Sequence, residues 1–287
     1  MPGTTSPPGE PSQPVIEVFA PGVISTPDQV EYYPTFTPDG KAVYFTRASE
    51  FTMGARKTIM VARADGDGWT TPIAASFSGV HDDTDPFLSA DGQTLYFSSS
   101  RPGRTTASGR ADFDLFRVRW NEDAWGPAEH LGPQVNSATP EHSPVIVADG
   151  TLYFRSSRAG GLGRGDLYRA RPVGDGFGEP ENLGPLINSA TGEWNCLVPA
   201  DQRFIIFEAS SRPSNVSVPG DLYISFARGD TWTSARPLAA LNTTASDLAA
   251  RLSPDGQWLY FASNRSGDGN VDIYRTRLQP LLAGLSP

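Results

Sequence analysis

Five carboxylates recur through this 287-residue chain at nearly even intervals: Glu31, Asp83, Glu141, Glu193 and Asp247, separated by 52, 58, 52 and 54 residues. Acids gathered at one place can hold a cation or an amine, accept hydrogen bonds from a sugar, or divide the acid and base roles of a hydrolysis. They also raise one another's pKa, so five together need a neutralising partner. One stands in each repeat. Arg47, Arg101, Arg158, Arg212 and Arg265 follow their acids by 16, 18, 17, 19 and 18 residues. One arginine per acid predicts a structural ion-pair ring that ties each unit to itself or to its neighbour. The competing reading leaves some carboxylates free for a ligand. It draws on Tyr32, Tyr33, Asp85, His142, Trp194 and Asn195, which flank the acids and differ between repeats as ligand contacts would. The candidate ligand-binding set is therefore Glu31, Tyr32, Asp83, Asp85, Glu141, His142, Glu193, Trp194 and Asp247.

Other reactive groups are few. Cys196 is the sole cysteine, so neither an intrachain disulfide nor a cysteine-based zinc cluster can form, and it reads as a small buried hydrophobe rather than a nucleophile served by His142. Three histidines (His81, His130, His142) match no metal-binding cluster, so no metal or cofactor is expected. No Gly-x-Ser-x-Gly elbow is present. Arg164-Gly165-Asp166 spells an adhesion tripeptide, but Asp166 belongs to a repeated Asp-Leu-Tyr, and Ser89-Ala90-Asp91-Gly92 differs from a sialidase Asp-box by lacking the residue between Asp and Gly.

The elements that must carry these residues follow from the repeat. Each acid stands eight residues before the aspartate of a turn, as in Pro38-Asp39-Gly40, Ala90-Asp91-Gly92, Ala148-Asp149-Gly150, Ala200-Asp201-Gln202 and Pro254-Asp255-Gly256. A first strand leads into this turn and a second, with an aromatic centre, leaves it: Val43-Tyr44-Phe45, Leu95-Tyr96-Phe97, Leu152-Tyr153-Phe154, Ile205-Ile206-Phe207 and Leu259-Tyr260-Phe261. After a variable loop, a third strand opens Asp-Leu-Phe, Asp-Leu-Tyr or Asp-Ile-Tyr, and a fourth is marked by Trp69, Trp125, Phe177 or Trp232. The fifth copy ends after its third strand at Leu278, while residues 17–25 carry the missing fourth-strand pattern. The expected fold is all-β, a five-bladed β-propeller of four-stranded antiparallel blades, closed by an N-terminal strand that completes the last blade. The organisation is a disordered Pro/Ser-rich tether over 1–15, the propeller over 16–280 and a short tail over 281–287. Blade connections and the loops between second and third strands emerge on one face, where any binding site is expected.

The Pro-Asp-Gly turn, the Leu-Tyr-Phe after it, the Ser-Ser-Arg or Ser-Asn-Arg that follows, the Asp-Leu-Tyr strand and the Leu-Gly-Pro-x-Ile/Val-Asn-Ser connection resemble the WD-repeat-like propeller repeat typified by the TolB propeller, over residues 17–278. That resemblance implies periplasmic or secreted interaction modules, gates fused to serine peptidases, or polysaccharide lyases. The TolB propeller has six blades and an extra N-terminal domain; five blades are expected here.

A net charge of −9 argues against nucleic acid or an anionic membrane surface as partner, and no apolar stretch approaches the roughly 18 residues of a span. The opening Pro2 to Pro14 reads as a spacer of the kind that follows an export signal, with a possible lipid or linker anchor, which places the protein in the periplasm or outside the cell. The expectation is a monomeric, non-catalytic binding module that takes a protein, peptide or glycan on the ring face. The alternative is a glycoside hydrolase resembling five-bladed arabinanase-like enzymes, drawing on Asp83, Asp85, Glu141 and Glu193, although arginine is expected to hold such acids at low pKa.

Overall fold

Alternating apolar residues joined by tight turns form short antiparallel strands, and five such hairpin sets close into a ring in the computed structural model. It describes residues 14–52, 54–102, 112–283 and 285. Most of the expected tether, part of the expected tail, and Arg104 and Arg110 of one variable loop lie outside the described residues.

The first three strands of the blades are Val30–Phe36, Ala42–Ala48 and Lys57–Asp65; Asp83–Leu88, Thr94–Ser99 and Asp114–Asn121; Glu141–Ile146, Leu152–Ser156 and Asp166–Ala170; Gly192–Leu197, Phe204–Ser210 and Asp221–Arg228; and Asp247–Leu252, Trp258–Ser263 and Asp272–Arg277. Each fourth strand is fragmentary, as in blade 1, where Gly68–Trp69 and Ile73–Ala74 pair separately with the third strand. The sheets are antiparallel, and the fold is a five-bladed β-propeller. Glu17–Val18 pairs antiparallel with Asp272–Arg277 and supplies the outer strand of blade 5. Phe19 continues the contact, its N–H donating to Ile273 O at 2.8 Å. Leu278–Leu282 forms a helical turn whose Leu278 and Leu281 pack into the core shared by blades 4 and 5.

The turn aspartates act locally. Asp39 Oδ1 accepts from Thr37 Oγ1 at 2.7 Å and from Lys41 N at 3.0 Å, and Asp91 and Asp255 repeat the arrangement. The next residue must turn left-handed, which glycine does without a side-chain clash. In blade 4 that residue is Gln202, at φ 52°, and its side chain is engaged on both sides, by Tyr153 Oη at 2.8 Å and Asp149 Oδ2 at 2.9 Å.

The repeated aromatics build the layer behind the channel. Phe97–Phe116, Phe154–Tyr168, Phe207–Tyr223 and Phe261–Tyr274 stack between second and third strands with centroids 5.9–6.1 Å apart. The repeated arginines lie over these rings; Arg265 Cζ is 4.6 Å from the Phe261 centroid and Arg212 Cζ 4.8 Å from that of Tyr223. Cation–π attraction and apolar packing thus fix the guanidinium before it meets its acid.

Candidate functional site

Every first strand slips register at the same place, between Tyr32 and Thr35, Thr84 and Phe87, His142 and Val145, Glu193 and Cys196, and Leu248 and Arg251. Four of these bulges hold a non-glycine residue left-handed: Tyr33, Asp85, Ser143 and Ala249, at φ 55–58°. A bulge re-aims its side chain, and here the bulged Tyr33, Asp85 and Ser143 line the cavity at the channel mouth. The residues before the bulges, Tyr32, Thr84, His142, Trp194 and Leu248, line it in all five blades. The result is a cavity of 270 Å³ at the mouth on the loop face. Its walls are Tyr32, Phe51, Phe113 and Trp194, with Asp85, His142 and Glu208 among its polar groups. Phe51, Phe113 and Pro219 come from loops between second and third strands, on the face the sequence points to.

Of the nine candidates, Tyr32, Asp85, His142 and Trp194 line this cavity. Glu31, Asp83, Glu141, Glu193 and Asp247 do not; each is wholly buried one layer behind the mouth. Strands alternate faces, so once Tyr32, Thr84, His142, Trp194 and Leu248 face the channel, the preceding residue must face away. There each acid meets its arginine: Arg47–Glu31 at 2.8 Å, Arg101–Asp83, Arg212–Glu193 and Arg265–Asp247 at 2.6 Å, and Arg158–Glu141 at 3.5 Å. Each acid also accepts from a hydroxyl of the incoming connection, on Thr26, Ser78, Ser137, Ser189 or Thr243. The arginines in turn donate to carbonyls of the same connections, at Ile24, Phe77, Val135, Ile187 and Leu241. The asparagines of the Asn-Ser and Asn-Thr pairs clamp the preceding blade: Asn136, Asn188 and Asn242 each bond both backbone groups of one third-strand residue. Burial pushes Glu31 up to about 7 and raises Asp83, Glu141 and Glu193, against the pull of their donors. The expectation that arginine would hold the ring acids low is corrected by that balance: removal from water is the larger effect.

The cavity's own two carboxylates diverge. Asp85 is buried, which alone would raise its pKa, yet His142, Ser98 and the Ser143 N–H hold it below the usual carboxylate range. Its Oδ2 accepts from Ser98 Oγ at 2.7 Å and Ser143 N at 2.9 Å, with His142 Nδ1 at 3.5 Å, and Oδ1 accepts from Thr84 Oγ1 at 2.9 Å. Glu208 is pushed up to about 8 by burial, with Asp85 adding to the rise and Asn195 and Arg155 opposing it. Asn195 Nδ2 donates to Glu208 Oε2 at 2.5 Å and to Tyr33 Oη at 3.2 Å, while its Oδ1 accepts from Ala249 N at 3.1 Å. Trp194 is held by its own Nε1–H to Ser210 Oγ at 2.9 Å and by the Arg155 guanidinium 4.4 Å above its ring. Lys57, its pKa lowered by burial, donates to Thr52 O at 3.3 Å and Ala55 O at 2.9 Å.

Glu208 and Arg155 were missed from the sequence, although a signal was present. The residue after the second-strand phenylalanine is Thr46, Ser98, Arg155, Glu208 and Ala262 in the five blades, so two charged side chains interrupt a small-residue position. The space for each is matched by a glycine before the third-strand aspartate. A Cβ on Gly165 would collide with the Arg155 guanidinium, and one on Gly220 would lie 2.6 Å from Glu208 Oε1.

Cys196 is wholly buried, and burial pushes its thiol up to about 12, which suits a small buried hydrophobe rather than a nucleophile. Asp166 of the adhesion-like tripeptide is also buried, accepting from Leu162 N and Gly163 N. Among the described residues no group of three or more His, Cys, Asp or Glu could hold a metal ion, and no helix is long and apolar enough to cross a membrane.

No family model matches the chain, and no curated protein does. Solved structures do. An α-L-arabinofuranosidase from Lactobacillus brevis is 12% identical, with 89% of this chain covering 92% of that one at a TM-score of 0.58. A glucose dehydrogenase is 15% identical over 84% of this chain and 79% of its own, at 0.50. A puromycin-hydrolyzing peptidase from Mycobacterium tuberculosis is 14% identical over 81% of this chain at 0.45, and the present chain spans about a third of its length, 34%. At these identities the likeness is one of fold.

Proposed function

We propose that the protein is a binding propeller that takes a glycan, one sugar unit of which enters the loop-face mouth, and that it catalyses no reaction on it. The observation that carries this reading is the state of Asp85. Both its oxygens are engaged by internal donors, which leaves the ionised carboxylate of the pocket poorly placed to attack a substrate or activate water. The aromatic walls suit the apolar C–H faces of a sugar, the polar groups between them suit its hydroxyls, and a volume of 270 Å³ suits one ring rather than a protein surface. The proposed site of action is periplasmic or extracellular, resting on the Pro/Ser-rich sequence at 2–14.

A glycan array followed by calorimetry on the best-bound oligosaccharide tests the proposal. Saturable binding is expected, with Trp194→Ala weakening it at least tenfold while the melting temperature moves by only about 2 °C. Equal affinity in the variant would remove the mouth as the site.

One observation favours a second reading, a glycoside hydrolase in which Glu208 is the acid. A carboxyl with its pKa pushed up to about 8 beside an ionised Asp85 is the division of labour such chemistry needs. Release of reducing sugar that disappears in Glu208→Gln would replace the binding proposal with this one.

A further inference from the structure

The channel has a second mouth, framed by the first-hairpin turns on the opposite face, where Pro38, Pro199 and Pro254 border a cavity of 430 Å³. Arg251 lines it. Four residues before the turn aspartate the other blades carry Thr35, Phe87, Val145 and Leu197, so the arginine breaks an otherwise uncharged position. It is 1% exposed, the largest of the fully buried side chains. Its Nη1 donates to Ala250 O at 2.9 Å and Cys196 O at 3.1 Å, which anchors it across blades 4 and 5. Tyr33 and Phe87 cover the guanidinium, with ring centroids 5.0 and 5.8 Å from Cζ.

The remaining edge is unspent. Nε and Nη2 are buried and meet no acceptor among the described residues, nor does any carboxylate there lie within ion-pair distance of this arginine. Nε–H and Nη2–H run parallel, and together they form the fork that matches the two oxygens of a carboxylate. Native proteins rarely leave one buried donor unmatched, and here a complete bidentate edge is unmatched on a buried cation. All five repeated arginines behind the other mouth, by contrast, have their acids. The rim acids do not compete: Asp201 faces Arg203 at 3.6 Å, and Asp255 accepts from Ser253 and Gln257 in its own turn. The cavity walls at Phe36, Phe87, Leu197, Val198 and Leu252 are apolar.

We propose that this mouth is a second binding site, specific for a small monocarboxylate with an apolar body, whose carboxylate is held by the Nε/Nη2 edge of Arg251. Tyr33 stands between the two cavities, lining the loop-face one and covering this guanidinium, but Arg251 and the turn residues line only this mouth and Trp194 only the other, so the two proposals can be tested apart.

Benzoate and benzamide share shape and differ in charge, so they are the probes. Benzoate is expected to raise the melting temperature of the wild-type protein in a concentration-dependent, saturable way and to shift the Arg251 ¹⁵Nε resonance, with benzamide doing neither. Arg251→Lys keeps the charge and loses the fork, and should bind benzoate at least tenfold more weakly; Trp194→Ala, at the opposite mouth, should bind it as the wild type does. Equal benzoate affinity in Arg251→Lys overturns the proposal. So does an Arg251 ¹⁵Nε resonance unmoved by 50 mM benzoate in the wild type, a measurement that needs no variant to fold. A crystal structure at the same concentration with only water at Nε and Nη2 also overturns it.

Discussion

Glu208 and Glu31 are the two carboxyls whose protons burial holds into the neutral range. The folded-state pKa of Glu208, raised by burial to about 8 from 4.5, means that the folded chain keeps a proton which the unfolded chain gives up over that interval. Because the folded state then binds more protons, stability falls as pH rises from 4.5 to 8, and this contribution flattens above 8. Glu208→Gln is permanently neutral at the same volume. The expected result is a smaller drop in melting temperature between pH 5 and 8 than the wild type shows; an identical drop would mean that Glu208 ionises as an exposed glutamate does. Glu31, pushed up to about 7, contributes a slope of the same sign in both proteins, so the difference between them isolates Glu208. This residue was legible in the chain, since Arg155 and Glu208 stand where the other blades have Thr46, Ser98 and Ala262. It carries no repeat signature, unlike the five matching acids. Repetition marks scaffold, and departures from repetition mark the channel.

Among the elements, the first strand and the connection before it act as one device. The wholly buried acid, the half-buried arginine that packs on the second-strand phenylalanine, and the Ser or Thr of the connection join each blade to the preceding one. Removing the arginine alone leaves a buried carboxylate with its principal counter-charge gone. Arg101→Met is therefore expected to cost about 3–5 kcal/mol, whereas Asp83→Asn with Arg101→Met should cost clearly less, as measured by urea unfolding. A double variant as unstable as the single one would show that the aromatic packing of Arg101, 4.9 Å over Phe97, matters more than its charge. The pairing was readable from spacing, because a hairpin that folds back at the turn brings the two positions together: Glu31 is opposite Arg47 in the register itself. The bulge was not readable. It depends on how five strands crowd one axis, a tertiary constraint that moves two neighbouring positions into the channel and leaves the acids behind it. Spacing thus paired the acids with their arginines but did not reveal that these pairs lie behind the cavity wall rather than in it.

For the whole molecule, closure rests on a short seam. Glu17 and Val18 pair with Arg275 and Tyr274, an ion pair joins Glu17 to Arg275 at 2.7 Å, and Phe19 inserts between blades 5 and 1 against Tyr260, Trp69 and Phe36. The exposed ion pair adds little, so Phe19 should carry most of the seam. Phe19→Ala is expected to destabilise the protein by about 3–5 kcal/mol in chemical denaturation, and Glu17→Gln by under about 1 kcal/mol. Similar small losses in both would mean that the ring closes through its inner strands alone.

The division between repeated and unrepeated positions has a consequence for change over time. The acid, arginine and aromatics that hold each blade lie behind the channel, while the residue before each bulge lines the loop-face cavity, joined by the bulged Tyr33, Asp85 and Ser143 and by Glu208 after its second-strand phenylalanine. Substitutions at those inner positions can exchange one ligand chemistry for another with the scaffold contacts untouched. A charged newcomer needs only a glycine opposite it, as Gly165 serves Arg155 and Gly220 serves Glu208. The ring can therefore be retargeted blade by blade, two codons at a time.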